Sequence, residues 1–112
     1  MTTTKQISHD QWKDQFDRFT KRYLRDARPE TARIELLSPL LGDQVEAEAA
    51  HLQGISYDPR SKVLEVLVEN MDHLVFHPKE IWVWEEADGF LRSIEIVRDD
   101  GTKEILTIRR AG

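Results

Sequence analysis

Two histidines close together in the sequence are the first candidates for chemistry. His73 and His77 are four residues apart, with Asp72 and Glu80 nearby. On a helix, this spacing would put both rings on one face, where they could bind one metal ion. On a strand, four residues span about 13 Å, too far for two ligands of one ion. Because Pro78 closes what we interpret as a strand, we predict no metal site from this pair alone.

Acidic side chains are the next candidates, because paired carboxylates can act as general acid and base. Asp43, Glu46 and Glu48 lie close together, and the spacing of the last two places them on the outer face of a strand. A raised carboxyl pKa needs burial or a close like charge in a cleft, which this pattern does not indicate. The chain also lacks a nucleophile motif, a glycine-rich phosphate loop and a dinucleotide fingerprint. We therefore predict no catalytic residue and no cofactor.

Two tryptophans form a candidate interface. Trp82 and Trp84 share one face of a short apolar run, while Ile81 and Val83 occupy the other face. If the sheet buries only one face, the two indoles are left partly exposed, which favours a protein partner or a second copy. The alternative is that this strand lies inside a closed barrel or under a helix, so that both faces are core.

A basic patch lies near the end of the first predicted helix. It contains Arg18, Arg22 and Arg25. The simplest interpretation is that cations near a helix C-terminus complement the helix dipole. The same residues could also dock onto the acidic remainder of the chain or bind RNA. RNA binding lacks exposed aromatic residues on that helix face, because the aromatic residues face inward.

The elements that must position these residues follow from periodicity. Trp12, Phe16, Phe19 and Tyr23 form one apolar stripe with helical spacing, which predicts a helix over 8–27 after a flexible tail, 1–6. Residues 31–110 then alternate with a period of two between turn signals, with a bulge near Gly54. The predicted fold class is α+β, with the N-terminal amphipathic helix covering a six- or seven-strand antiparallel meander, strongly curled or barrel-like.

Composition narrows the possible classes of function. The 112 residues suit one domain, 1–112, and the absence of cysteine excludes a disulfide framework, a cysteine zinc site and a thiol nucleophile. Residues 34–112 carry 8 basic and 16 acidic side chains, so nucleic acid is a disfavoured partner. No long apolar run or signal-peptide pattern is present, and we expect a cytoplasmic protein without membrane association.

Several motifs together resemble a known family. They are Ile7 to Trp12, Leu41 to Glu48, Leu52 to Pro59, Asp72 to Leu74, His77-Pro78, Ser93 to Val97 and Asp100 to Thr102. In combination, they are similar to domain-of-unknown-function family 5335, a family of small bacterial domains. The resemblance covers nearly the whole chain and implies a single stand-alone domain. It implies no activity, cofactor or substrate.

These observations favour a small, non-catalytic module that binds a protein partner or self-associates through Trp82 and Trp84. Two alternatives stay open. One is a small enzyme that uses the His73/His77 segment with nearby acids. The other is an RNA-binding small barrel that uses the basic patch.

Overall fold

The computed structural model describes residues 2–24, 30–40, 42–69 and 71–110, which contain one α-helix and eight strands. The elements are β1 (Thr2–Ile7), a 3-10 turn (His9–Gln11), α1 (Trp12–Tyr23), β2 (Thr31–Ser38), β3 (Gly42–Asp58), β4 (Val63–Val68), β5 (Met71–Phe76), β6 (Pro78–Glu86), β7 (Leu91–Arg98) and β8 (Lys103–Arg109). The α+β class is therefore confirmed, but the sheet has eight strands and not six or seven.

The additional strand is β1, and it corrects the prediction of a flexible tail at residues 1–6. β1 pairs antiparallel with β6, from Thr2 opposite Glu86 to Ile7 opposite Ile81. Its threonines favour extended backbone, but the strand has no apolar alternation before Ile7. The strand therefore has no recognisable hydrophobic pattern, and β6 supplies the pairing that orders it.

The strands form one antiparallel sheet in the order β1-β6-β7-β8-β2-β3-β4-β5. In a flat sheet, β5 and β6 would lie about 29 Å apart, because six strand spacings separate them. Only His77 connects Phe76 to Pro78, however, and one residue spans about 3.5 Å. The sheet must therefore curl until its two ends approach each other. Among the described residues, β1 and β5 do not pair, so the sheet is not closed into a barrel.

The apolar stripe of α1 packs into the concave side of this curled sheet. Trp12, Phe16 and Phe19 are buried. The Trp12 indole Nε1 donates a hydrogen bond to the Ile7 carbonyl oxygen at 2.9 Å. Its ring meets the Tyr57 ring edge-on, with 5.1 Å between centroids. The helix thus ties β1 to β3 and fills the core between them.

The hydroxyl of Thr20 supplies a second link between α1 and β3. At Ile55, the strand has passed the end of its pairing with β2 and pairs only with β4, so one side of its backbone lacks a strand neighbour. Thr20 Oγ1 donates to the Ile55 carbonyl at 2.8 Å and accepts from the Ile55 N–H at 2.9 Å. The register shift predicted at Gly54 occurs in this segment.

The observed helix is shorter than the prediction of 8–27. Its first turn is a 3-10 turn over His9–Gln11, and α1 ends at Tyr23. The N–H of Leu24 still bonds to the Thr20 carbonyl at 3.0 Å. The predicted end of the helix and Arg25 lie outside the described residues.

Candidate functional site

The outward side of β6 carries the two tryptophans, as their spacing predicts. Ile81 and Val83 point into the core and are at most 1% exposed. Trp82 and Trp84 alternate with them, and Trp82 is half-buried while Trp84 is 48% exposed. β6 lies between β1 and β7, so this exposure is on the face of the sheet and not at its edge. The alternative in which both faces of β6 are core is therefore wrong.

Neighbours on adjacent strands extend this surface. Trp82 lies opposite Glu95 on β7, and Glu95 lies opposite Ile105 on β8. Charged and apolar side chains alternate in this row and in the next, whereas Trp84 lies opposite Ser93 in a polar row. Lys103 Nζ lies 3.6 Å from Glu95 Oε1. We call this surface the outer face. Its residues are Thr4, Gln6, Arg33, Glu35, Leu37, Glu80, Trp82, Trp84, Ser93, Glu95, Val97, Lys103, Ile105 and Thr107.

The histidine segment adopts a different arrangement from a chelating pair. His73 is half-buried on β5 and faces inward, whereas His77 is exposed in the link to β6. His73 Nε2 lies 2.5 Å from Oε1 of Glu104 on β8. Glu104 is only 2% exposed, and its Oε2 lies 3.4 Å from Arg98 Nη1. His73 is thus part of a buried polar cluster with Glu104 and Arg98.

The other acidic and histidine candidates lie apart. Across the described residues, no group of three His, Cys, Asp or Glu side chains could hold a metal ion. Asp43, Glu46 and Glu48 are exposed on β3, as predicted for a solvated acidic face. Asp43 hydrogen-bonds to the Glu35 carboxyl and raises its pKa above the usual range. Arg33 Nη1 also donates to the Glu35 carboxyl at 2.9 Å, and Asp43 is exposed, so this pair lies on the surface of the sheet and not in a cleft.

The predicted basic patch borders a cleft. Arg18 and Arg22 lie on the exposed side of α1, next to a cleft of about 620 Å³ between the helix, β1 and the turn that joins β6 to β7. Lys21 and Lys5 add two more cations to its lining, and Glu85 adds one carboxylate. The structure therefore places two of the three predicted arginines at one concave site, together with Lys5 from a strand that the sequence did not indicate.

Comparison with known proteins places the chain in a family. A model described as "Family of unknown function (DUF5335)" matches residues 3–112. The chain belongs to this family. An uncharacterized protein from Aquifex aeolicus (strain VF5) is 42% identical to this DUF5335 chain over 109 residues, which cover 96% of this chain and 94% of the relative. No solved structure matches. The predicted resemblance is thus confirmed, and neither match names an activity.

In the described parts of this DUF5335 chain, no helix has the length and apolar character needed to cross a membrane.

Sequence reasoning missed Glu104 in the DUF5335 chain, although a signal was available. On β8, Glu104 occupies the same inward row as the buried Leu106 and Ile108. A carboxylate in the apolar row of a strand indicates a buried polar partner, because an isolated buried charge is costly. Arg98 lies six residues away across the β7–β8 hairpin, whereas the sequence gives no indication of His73, because only the curling of the sheet brings β5 to face β8.

Proposed function

We propose that this DUF5335 protein is a non-catalytic self-association module, and that its outer face binds the outer face of a second copy. The exposure of Trp84 carries the proposal. A tryptophan that is 48% exposed on the face of a sheet, with Trp82 next to it on the same face, is typical of a binding surface. Burial of such an indole against a partner removes apolar area from water and stabilises the complex.

The charge pattern of the outer face suits a second copy. The face carries three carboxylates, Glu35, Glu80 and Glu95, and two cations, Arg33 and Lys103. Residues of both signs lie among the apolar side chains, so two copies related by a two-fold axis can pair opposite charges while the indoles interdigitate. A face of only one sign would instead repel its own copy.

The dimensions of the face suit a dimer interface. Five adjacent strands, β1-β6-β7-β8-β2, each present about eight residues. Measured along the curled sheet at ordinary strand spacings, this corresponds to about 600 Å². A stable interface buries about 800 Å² per partner, so side chains that project from the convex face must supply the remainder. Packing of two sheets face to face is a common way to bury such surfaces.

A separate observation supports a structural role for the histidine segment and not the enzyme alternative. The imidazole of His73 is only 16% exposed, and its Nε2 contacts the buried Glu104 carboxylate. His77 lies outside this cluster, so the two histidines do not converge on one cleft. We therefore place non-catalytic binding first.

Sedimentation equilibrium of the wild type beside Trp84→Ser tests the proposal. Leu40→Ser is the matched control, because Leu40 is 93% exposed in a turn and lies outside the outer face. We expect a wild-type dimer, a dimeric Leu40→Ser variant, and a Trp84→Ser variant that is monomeric but folded by circular dichroism.

Two results would overturn the proposal. One is a wild type that stays monomeric at high micromolar concentration. The other is a dimer that survives Trp84→Ser but is lost in Phe76→Ser. Phe76 is 56% exposed on β5, at the far edge of the sheet, and that result would place the interface there.

A further inference from the structure

The cleft beside α1 concentrates positive charge. Arg18, Lys21 and Arg22 are exposed on the helix and line the cleft. Arg18 and Arg22 are one helical turn apart, so their side chains are neighbours of like sign. Within the described residues, none of these three cations has an ion-pair partner within 4.0 Å. Three cations that line one cleft repel one another, and an anion bound among them would relieve this repulsion.

Two charged side chains of the cleft, Lys5 and Arg22, are held by contacts with its walls. On the β1 side, Lys5 Nζ lies 3.1 Å from Glu85 Oε2, so Lys5 neutralises the single carboxylate of the lining. On the other side, the Arg22 guanidinium lies over the Tyr23 ring at 5.1 Å. The Tyr23 hydroxyl in turn donates to the Asp88 carbonyl at 2.7 Å, which fixes the ring. The Arg22 guanidinium therefore packs against an aromatic ring whose position is fixed by a hydrogen bond.

The turn between β6 and β7 leaves room for a ligand next to these cations. Gly89 has a φ of +95°, a conformation that favours glycine, and it forms part of the cleft wall. A Cβ at this position would lie 3.7 Å from the Tyr23 hydroxyl and 3.8 Å from Arg22 Nη1, which are ordinary contact distances, so the backbone of the turn and not the space in the cleft favours glycine here. A volume of about 620 Å³ lies within the range of small-molecule sites.

We infer that this cleft binds a small phosphorylated molecule, with Arg18, Lys21 and Arg22 holding a diphosphate or a comparably dense anionic group. Arginine guanidinium groups bind phosphate oxygens through paired hydrogen bonds, and lysine adds a point charge. This inference does not depend on self-association, because the cleft opens on the concave side of the sheet and not on the outer face.

The surroundings of the cleft favour a compact ligand over a nucleic acid chain. Asp14 and Asp17 lie on the same helix, and on the β6–β7 side Glu86 and Asp88 are both paired with Arg110. A single strand needs positive charge along several nucleotides, whereas Asp14 and Asp17 bound the positive region on the helix side. The positive charge therefore fits one anionic group and not an extended backbone.

Isothermal titration calorimetry at low salt tests the inference with pyrophosphate and ADP as probes and uncharged adenosine as a negative control. We expect both phosphate compounds to bind with a Kd below about 1 mM, and adenosine not to bind. A double charge reversal, Arg18→Glu with Arg22→Glu, should weaken binding at least about tenfold. Arg60→Glu is the control, because it removes an exposed arginine in the β3–β4 turn, away from the cleft.

Conservative variants distinguish a loss of binding from a loss of the folded structure. The conservative double change to lysine at positions 18 and 22 should keep binding within a few-fold of the wild type, and circular dichroism should be unchanged in all variants. The inference fails if pyrophosphate and ADP give no binding heat at millimolar concentration, or if Arg60→Glu weakens binding as much as the double reversal. It also fails if an oligouridylate of about twelve nucleotides binds far more tightly than ADP, which would support an RNA surface.

Discussion

Replacement of Glu104 by glutamine should destabilise the fold strongly, because Glu104 is the carboxylate of a buried cluster. Its side chain is 3% exposed and contacts His73 Nε2 at 2.5 Å and Arg98 Nη1 at 3.4 Å. Glutamine keeps the volume but removes the charge that faces Arg98. Loss of one partner of a buried ion pair costs about 3–5 kcal/mol. Because the Arg98 side chain is 30% exposed and partly hydrated, we expect a decrease of about 2–3 kcal/mol in the free energy of unfolding.

Urea unfolding followed by circular dichroism measures this change. Glu95→Gln is the matched control, since Glu95 has a longer contact with Lys103 at 3.6 Å and a side chain that is 38% exposed. The control should cost less than about 1 kcal/mol. A double-mutant cycle between Glu104→Gln and His73→Gln should give a coupling of about 1–3 kcal/mol, because the two side chains are in direct contact.

The reasoning is refuted if Glu104→Gln costs no more than the Glu95→Gln control. It is also refuted if the Glu104 and His73 changes are additive within about 0.5 kcal/mol, since contacting buried groups must show coupling.

Two further predictions concern the helix contact and a pair of carboxyls. Thr20→Val should lower the free energy of unfolding by about 1–3 kcal/mol, because it leaves the N–H and carbonyl of Ile55 without their hydrogen bonds to Thr20. Thr20→Ser keeps the hydroxyl and should retain most of this stability. Urea unfolding measures both changes. Asp72 hydrogen-bonds to the Glu65 carboxyl and raises its pKa, so the folded state favours protonated Glu65 and is penalised above that pKa. Asp72→Asn should therefore stabilise the protein at pH 7 by less than about 1 kcal/mol, and the gain should shrink as the pH falls toward 4; an equal gain at both pH values would contradict this account.

Period-two alternation was sufficient to predict much of the sheet and the orientation of the tryptophans. The alternation of Ile81 and Val83 with Trp82 and Trp84 assigns opposite faces from the sequence alone, and the structure agrees. The slip near Gly54 likewise marks a real register shift in β3. These features are local, since they depend only on which face each residue of one strand presents.

Features that depend on pairing between distant segments could not be predicted. β1 has a polar pattern, and its order comes from β6, which lies about 80 residues later in the chain. Whether the sheet closes depends on strand tilt and register, which cannot be derived from a single sequence. The contact between His73 and Glu104 spans 31 residues and exists only because the sheet curls. Lys5 likewise lines the basic cleft only because β1 pairs with the distant strand β6.

Fluorine NMR of the protein labelled with 5-fluorotryptophan tests the proposed self-association most directly, because each of the three tryptophans reports separately. Trp12 is fully buried and serves as the internal control. Over a dilution series from millimolar to low micromolar concentration, we expect the Trp84 resonance to shift most, Trp82 to shift less, and Trp12 to stay fixed. If none of the three tryptophan resonances shifts with concentration, self-association through the outer face is contradicted. A shift of Trp12 equal to that of Trp84 would contradict it as well, because the change would then be one of folding and not of binding.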